Sequence, residues 1–383
     1  TAGWLISNRG GAVVESPAAR EPVSVLIADF ENKTGDPVFD GVVEQAITLG
    51  IEGASFITAY PKRDALRAAA AIKPGAKLDE GTARLVALRE GVNTIVIGDI
   101  EQRGTGYHIR IRGLGPGNDA DVRYTLEDDE SSKAEVLATV GALAGKVRAA
   151  LGDTVAPAPA DAFTAASLEA VREYARGQEL FASGKAAEAI PAYLEATKLD
   201  PDFGRGWSSA ATAAFNSGMR DDADRYYKEA LAKIDRMTER ERFRTRGQYS
   251  LFSRNAPKAI EEFTALLERY PSDAAGLSNL AFAHHQLRQF DKAMEIGAKV
   301  AAIYPNNPLR QNNVALYAMY AGKFDEALAR GKKASELNAQ YPLSWVSQGL
   351  SAAALGKYDD ATAAYQRLAS IDGWKARSAQ GVA

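Results

Sequence analysis

Cysteine is absent from the 383 residues, and histidine occurs only three times. Without cysteine the chain has no disulfides, no thiolate zinc or iron–sulfur sites and no thiol nucleophile. His284 and His285 are adjacent, and neighbouring side chains on a helix point about 100° apart, so the pair cannot chelate one metal ion alone. We therefore predict neither a metal site nor a cofactor.

The sequence also lacks a charge excess and a long apolar run. Its 46 basic and 49 acidic residues give a net charge of -3, which argues against a nucleic-acid partner. No apolar run approaches the roughly 20 residues that span a membrane. The short opening segment Trp4–Ile6, followed by Arg9, has two interpretations: the end of a transmembrane helix, or a flexible tail.

Catalytic motifs are missing as well. The sequence contains no G-x-x-x-x-G-K-[ST] phosphate loop, no H-E-x-x-H zinc motif and no protein-kinase motif. The glycine-rich segment 113–117 does not have the third glycine of G-x-G-x-x-G at the required spacing, and no helix is predicted after it. It therefore indicates a hairpin turn. We predict that the chain is not an enzyme.

Composition divides the chain into four parts. Residues 1–21 show no periodicity and predict a tether, and residues 154–166 alternate proline with alanine, which predicts an extended linker. Residues 22–153 predict one folded domain and residues 167–377 predict a second.

The second half repeats itself with a period of 34 residues. Position 20 of each repeat is alanine, position 24 is aromatic or glycine, and four of the repeats carry glycine in the turn. A small residue is needed where two helices cross closely. The pattern predicts six stacked helix pairs in an all-α superhelical solenoid. The predicted units lie near residues 170–203, 204–239, 240–273, 274–307, 308–341 and 342–375.

With these motifs the second half resembles the tetratricopeptide repeat (TPR) family. The resemblance implies a concave groove, lined by the first helix of each pair, that binds a peptide or protein partner. An alternative is that several of the rings only seal contacts between units. The predicted groove residues are Tyr174, Gln178, Arg205, Phe215, Asn216, Arg244, Gln248, Phe282, His285, Asn312, Leu316, Tyr320, Val346 and Leu350.

The first half predicts a small α/β domain with one mixed sheet. In the helix over 78–90 we expect Leu85 and Leu88 to face the core, and we interpret the acidic run 127–130 as a solvated turn. The predicted strands cover 23–30, 56–60, 94–101, 107–112 and 122–127, and the predicted helices cover 40–51, 62–72, 78–90 and 131–151.

Two segments of this half carry a second resemblance. Residues 25–41 are V-L-I-A-D-F-E-N-K-T-G-D-P-V-F-D-G, and residues 91–100 are G-V-N-T-I-V-I-G-D-I. They resemble the TolB amino-terminal-like domain, which precedes TPR arrays in bacterial membrane-anchored regulators, including the extracytoplasmic part of some serine/threonine kinases. The resemblance implies a periplasmic location with a membrane anchor at the N-terminus.

A polar loop follows the first predicted strand, at a carboxyl end where α/β proteins place ligands. Asn32, Thr34, Asp36 and Asp40 are candidates for holding a small ligand or cation. The alternative is that these side chains only make the turn and cap the next helix.

The leading functional hypothesis is a non-enzymatic scaffold that binds a peptide or protein partner in the TPR groove, touches the membrane only through its tether and binds no nucleic acid. One alternative is the ligand-sensing extracytoplasmic half of a membrane-anchored signalling kinase. Another is a structural assembly subunit of an envelope or extracellular complex.

Overall fold

The computed structural model describes residues 21–117, 121–154 and 167–382. These ranges form an α/β sheet domain followed by a helical array, so the predicted fold class is confirmed. The predicted tether and linker lie outside the described residues except for Glu21 and Thr154. None of the helices in these ranges combines the length and apolar character needed to cross a membrane.

Six strands within the described ranges form one mixed sheet in the order β3-β1-β4-β5-β6, with β2 beside β4. β1 pairs in parallel with β3 and β4, whereas β4, β5 and β6 form an antiparallel meander. The strands are β1 Val23–Ile27, β2 Glu31–Lys33, β3 Ile57–Ala59, β4 Thr94–Arg103, β5 Gly106–Leu114 and β6 Val122–Glu130.

The acidic run 127–130 is part of strand β6, so its interpretation as a turn was wrong. Pairing with β5 holds the run extended, because Asp129 lies opposite His108 and their side chains are 2.8 Å apart. A second carboxylate of the run, Asp128, pairs with Lys146. Two carboxylates of the run therefore have side-chain partners, one on the neighbouring strand and one on the following helix.

Helices cover both faces of the sheet. The cluster of buried side chains on one face includes residues of α1 and α4, and that on the other includes residues of α2 and α3. These helices are α1 Val42–Ile51, α2 Lys62–Ile72, α3 Glu80–Glu90 and α4 Val136–Ala150.

The predicted inward face of α3 was wrong. Leu85 and Leu88 are 51% and 59% exposed, whereas Ala83, Val86 and Ala87 are buried against the sheet. These three small residues follow the i, i+3, i+4 spacing of one helix face, which lets the helix approach the sheet closely.

The array contains six helix pairs and one further helix within the described ranges, and the position-20 alanines are all buried. The pairs are α5 Leu168–Ala182 with α6 Ala186–Leu199, α7 Gly204–Asn216 with α8 Arg220–Ala232, α9 Glu239–Phe252 with α10 Ala256–Arg269, α11 Ala274–Gln286 with α12 Phe290–Ile303, α13 Pro308–Tyr320 with α14 Phe324–Leu337, and α15 Pro342–Ala354 with α16 Tyr358–Ala369; α17 is Lys375–Val382 and packs on α16.

Candidate partner-binding surface and interdomain cleft

A buried ion network joins the sheet domain to the third and fourth repeat units. Asp273, fully buried before α11, accepts hydrogen bonds from Arg240 Nε at 2.7 Å and Arg244 Nε at 2.9 Å, both on α9. Arg244 Nη1 also donates to the Glu52 carboxylate at 2.8 Å, and Arg240 Nη1 donates to the Glu52 carbonyl at 2.6 Å. Because Glu52 follows α1, the network crosses from one domain to the other.

The network determines the charge of its two carboxyl groups. Burial alone would raise the pKa of Asp273, but Arg244 and Arg240 hold it well below its ordinary value. The same two arginines lower the pKa of Glu52 against the opposing effect of burial. Both carboxylates are therefore ionised at neutral pH, and loss of one partner would leave the others buried and uncompensated.

Apolar contacts extend this interface. Tyr304, at the end of α12, packs edge-on against Tyr60 of the sheet domain with 5.2 Å between ring centres. Leu277 of α11 belongs to the same buried cluster as Leu26 of β1. The sheet domain thus covers the first turns of the inner helices in the middle of the array.

An open cleft of about 980 Å³ lies between the two domains. One wall is formed by α1 and the carboxyl ends of β1 and β3, and the other by α5, α7 and α9. In the first three units, the surface predicted to hold a partner therefore faces the chain's own sheet domain. The predicted groove residues that line this cleft are Tyr174, Gln178, Arg205, Arg244 and Gln248.

Several charged side chains of the cleft are paired with one another. Lys62 Nζ lies 2.5 Å from Asp29 Oδ1 and 2.9 Å from Glu44 Oε1, and Arg205 bonds Glu241. Burial raises the pKa of Glu44, although Lys62 opposes this effect. Burial would lower the pKa of Lys62, but Glu44 and Asp29 raise it above its ordinary value.

The inner helices of units four to six carry exposed apolar side chains. Phe282 on α11, Tyr320 on α13 and Leu350 on α15 are 44%, 50% and 44% exposed, and Leu316 on α13 is half-buried. We call these four residues the apolar strip. All four were predicted groove residues, and the structure brings them to the inner helices of three consecutive units.

His285 lies among the rings at one end of the apolar strip. Its ring centre is 5.0 Å from that of Tyr320, 5.5 Å from that of Phe290 and 6.2 Å from that of Phe282. Burial lowers the pKa of His285, so its ring is neutral at pH 7. This end of the strip is an uncharged aromatic surface.

The remaining predicted groove residues lie in other surroundings. Asn312 is buried and accepts a hydrogen bond from Ser347 Oγ at 2.9 Å, which joins α13 to α15. Tyr174 is buried beside Tyr193, with 5.7 Å between ring centres. Both side chains therefore make contacts within the array, and for the Tyr174 ring this agrees with the alternative considered from the sequence. Phe215 and Asn216 are exposed at the end of α7, and Val346 is half-buried.

The side chains of the polar loop after β1 form hydrogen bonds with one another and with the backbone of the loop. Asn32 Nδ2 donates to Asp40 Oδ1 at 2.7 Å, Thr34 Oγ1 donates to Asn32 Oδ1 at 2.7 Å, and Val38 N donates to Asp36 Oδ1 at 3.0 Å. These are the turn-making and capping bonds of the alternative considered from the sequence. Binding of a ligand by this loop stays a prediction.

Sequence reasoning missed the ion network and Phe290. Asp273 caps α11 by accepting from Gly276 N at 2.7 Å, and caps are common before helices, so its second role gave no sequence signal. Arg240 belongs to a strongly charged stretch of the third unit, residues 238–242. Such a stretch at the start of an inner helix was the one available sign of a buried ionic contact.

Comparison with protein-family models matches tetratricopeptide repeats to residues 174–236, 244–308 and 315–376. The helical half is a TPR array. Comparison of the sequence with curated proteins finds no match.

Three solved structures illustrate the likeness of the TPR array to known folds. The APC/C hetero-tetramer Cut9–Hcn1 is 15% identical, with a TM-score of 0.48, over 56% of this chain and 42% of that one. Pseudomonas aeruginosa pilF is 16% identical, with a TM-score of 0.42, over 55% and 97%. A TPR protein from Parabacteroides merdae is 16% identical, with a TM-score of 0.43, over 64% and 90%. The match spans less than half of the first of these chains, and at such identities the likeness concerns the fold alone.

Proposed function

We propose that this chain is a non-enzymatic scaffold that binds a protein partner through the apolar strip of its TPR array. The observation that carries this proposal is the exposure of Phe282, Tyr320 and Leu350 on the inner helices of units four to six. TPR arrays use their inner surface for binding. Clustered apolar side chains on a folded surface commonly mark an interaction site.

The spacing of the strip favours an amphipathic helix as the bound element. Packed helices lie about 8–10 Å apart, and seven residues of an α-helix span about 10.5 Å. A partner helix that crosses α11, α13 and α15 with apolar side chains seven residues apart would meet one strip residue on each inner helix. The neutral His285 favours an apolar or aromatic anchor over a charged one at this end.

Substitution of two strip residues tests the proposal. We expect Tyr320→Ser combined with Leu350→Ser in the full chain to weaken partner binding at least tenfold, because central apolar anchors dominate interface energies. The matched control is Tyr358→Ser, which replaces a tyrosine that is 70% exposed on α16. Co-purification from the native host, followed by titration with the purified partner, measures the effect. Undiminished binding by the double variant would contradict the proposal.

We also propose that the chain works outside the cytoplasmic membrane, anchored at its N-terminus. The support is the resemblance of residues 25–41 and 91–100 to the TolB amino-terminal-like domain of membrane-anchored TPR regulators. Fusion of the full-length gene product to alkaline phosphatase, which is active only after export, tests the location. An active fusion is expected, and an inactive fusion with normal expression would contradict it.

A ligand-sensing role beside a signalling kinase is the second candidate function. The interdomain cleft favours it, because a ligand bound between two domains would change how they hold together. The sequence of the full-length gene is the test. A gene that encodes no catalytic domain would exclude the kinase version of this role.

A further inference from the structure

The interdomain cleft combines two features of small-molecule sites. Ligands bind preferentially at domain interfaces and outside the carboxyl ends of parallel strands. Here Asp29 follows β1, Tyr60 follows β3, and the inner helices of the TPR array form the opposite wall. The volume of about 980 Å³ lies at the upper end of the range for small-molecule pockets.

The charges that line the cleft nearly cancel. Lys62, Arg205 and Arg244 already bond to carboxylates, so an ionic ligand would have to compete with existing ion pairs. This balance favours an uncharged ligand. The basic residues that line the cleft are Lys62, Lys77, Arg172, Arg176, Arg205, Arg244 and Arg310, and the acidic ones are Asp29, Asp40, Glu44, Glu52, Glu179 and Glu241.

Three lining residues have a buried polar atom without a hydrogen-bond partner among the described residues, and they are Gln45, Tyr304 and Arg310. Gln45 Oε1 is an acceptor on α1, and Arg310 Nε is a donor on α13. Buried polar atoms are normally satisfied, and where the protein supplies no partner an ordered water or a bound molecule does so. The Tyr304 hydroxyl can either donate or accept, so it accommodates a partner of either kind. A ligand that serves Gln45 and Arg310 must donate to the first and accept from the second. Hydroxyl groups do both, whereas carboxylates and phosphates only accept and ammonium groups only donate.

We propose that this cleft binds an uncharged, hydroxyl-rich ligand such as a small saccharide. Gln178 on α5 and Gln248 on α9 add amides that donate and accept, and Ser208 and Ser209 on α7 add hydroxyl groups. Phe30 supplies an aromatic ring in the same lining. This site is separate from the apolar strip, and the proposal is independent of partner binding there.

Titration calorimetry on the full chain with neutral disaccharides and trisaccharides of glucose and N-acetylglucosamine tests this assignment. We expect at least one of them to bind, and Gln45→Leu to weaken that binding about tenfold or more by removing a buried acceptor. The matched control is Gln366→Leu, which removes an exposed amide on α16 outside the cleft and should bind like the wild type.

A thermal unfolding series distinguishes loss of the site from loss of the fold. Without ligand, Gln45→Leu should melt at the wild-type temperature or above it, because the substitution removes a buried acceptor that has no partner. The saccharide should raise the melting temperature of the wild type and of Gln366→Leu by similar amounts, and that of Gln45→Leu by clearly less at the same concentration.

Three results would overturn the assignment. The first is no binding of any tested saccharide at about 10 mM. The second is equal binding by the wild type and Gln45→Leu. The third is binding of capped neutral dipeptides in the absence of saccharide binding, which would assign the cleft to a peptide instead.

Discussion

Two arginines occupy a turn position that glycine fills in the other TPR units. Arg254 and Arg288 each have a φ of 58°, in the left-handed region. A residue with a side chain loses about 1–2 kcal/mol in that conformation. The third and fourth units therefore keep the backbone of the glycine turns at the expense of local strain. The glycines at the same position are Gly184, Gly218, Gly322 and Gly356.

Replacing one of these arginines should stabilise the protein. We expect Arg288→Gly to raise the free energy of unfolding by about 0.5–1 kcal/mol, since glycine relieves the strain but gains freedom in the unfolded chain. Urea denaturation measures the change. The reverse substitution, Gly322→Arg, should lower stability by a similar amount. A destabilised Arg288→Gly variant would contradict this expectation. It would show that the contacts of the Arg288 side chain stabilise the fold by more than the backbone strain destabilises it.

Asp273 is the residue on which the interdomain ion network depends. Asp273→Asn should lower the free energy of unfolding by about 3–5 kcal/mol, because two arginines would stay buried with their main counter-charge removed. The control is Asp291→Asn, which breaks an exposed pair with Lys323 (2.7 Å) and should change stability by less than about 1 kcal/mol. Equal effects of the two substitutions in urea denaturation would show that the network is energetically like a surface pair.

The same network predicts how stability depends on pH. Asp273 and Glu52 have lowered pKa values in the folded protein, so their contribution is present above their ordinary pKa of about 4. It is lost as the pH falls through the lowered values. We expect the melting temperature of the wild type to fall below about pH 4, and Asp273→Asn to show a flatter profile there. Parallel profiles would contradict this account.

At the scale of the helix pair, a ring packed over a glycine holds two helices together in three units. An added Cβ would lie 2.5 to 2.7 Å from the ring, so only glycine fits beneath it. In the fourth and fifth units the glycine lies at position 24 instead, and alanine stands at position 8. The ring and glycine pairs are Tyr193 with Gly177, Phe263 with Gly247, and Tyr365 with Gly349.

Substitution of Gly247 tests this packing. Gly247→Ala should lower the free energy of unfolding by about 1–3 kcal/mol, because the buried Phe263 ring has to move. The matched control is Gly141→Ala on α4, where an added Cβ meets open space. That change should stabilise by about 0.5–1 kcal/mol through helix propensity. Thermal or urea unfolding of both variants measures the contrast, and a neutral Gly247→Ala would contradict the packing argument.

Helices and strands were predictable from the sequence where their pattern lies in neighbouring residues. The alanine repeat at position 20 predicted the helix pairs. The predicted bounds of α2 match the structure, because the periodicity of a helix depends on residues that are close in the sequence. The buried face of α3 was missed because small residues, rather than its leucines, pack on the sheet. The length of β6 was missed because its acidic residues have partners elsewhere in the chain, His108 on β5 and Lys146 on α4.

At the scale of the whole molecule, the charged stretch 238–242 was the one sign in the sequence that the sheet domain docks on the TPR array. Arg244 and Glu52 are 192 positions apart, and neither lies in a motif. The predicted groove was therefore treated as one continuous surface. The structure instead places some of its residues in the interdomain cleft, others in or beside the apolar strip, and the rest elsewhere on the array. A protein that shares buried side chains and an ion network between its halves is best tested as a full chain.

We propose above that a partner contacts the apolar strip of the TPR array. Photo-crosslinking tests it most directly, with p-benzoylphenylalanine placed in the full chain at Phe282 in the strip or at Tyr358 on α16. The account predicts a defined crosslinked partner from position 282, lost when Leu350→Ser is added, and none from position 358. The same partner crosslinked from both positions, or from position 358 alone, would contradict it.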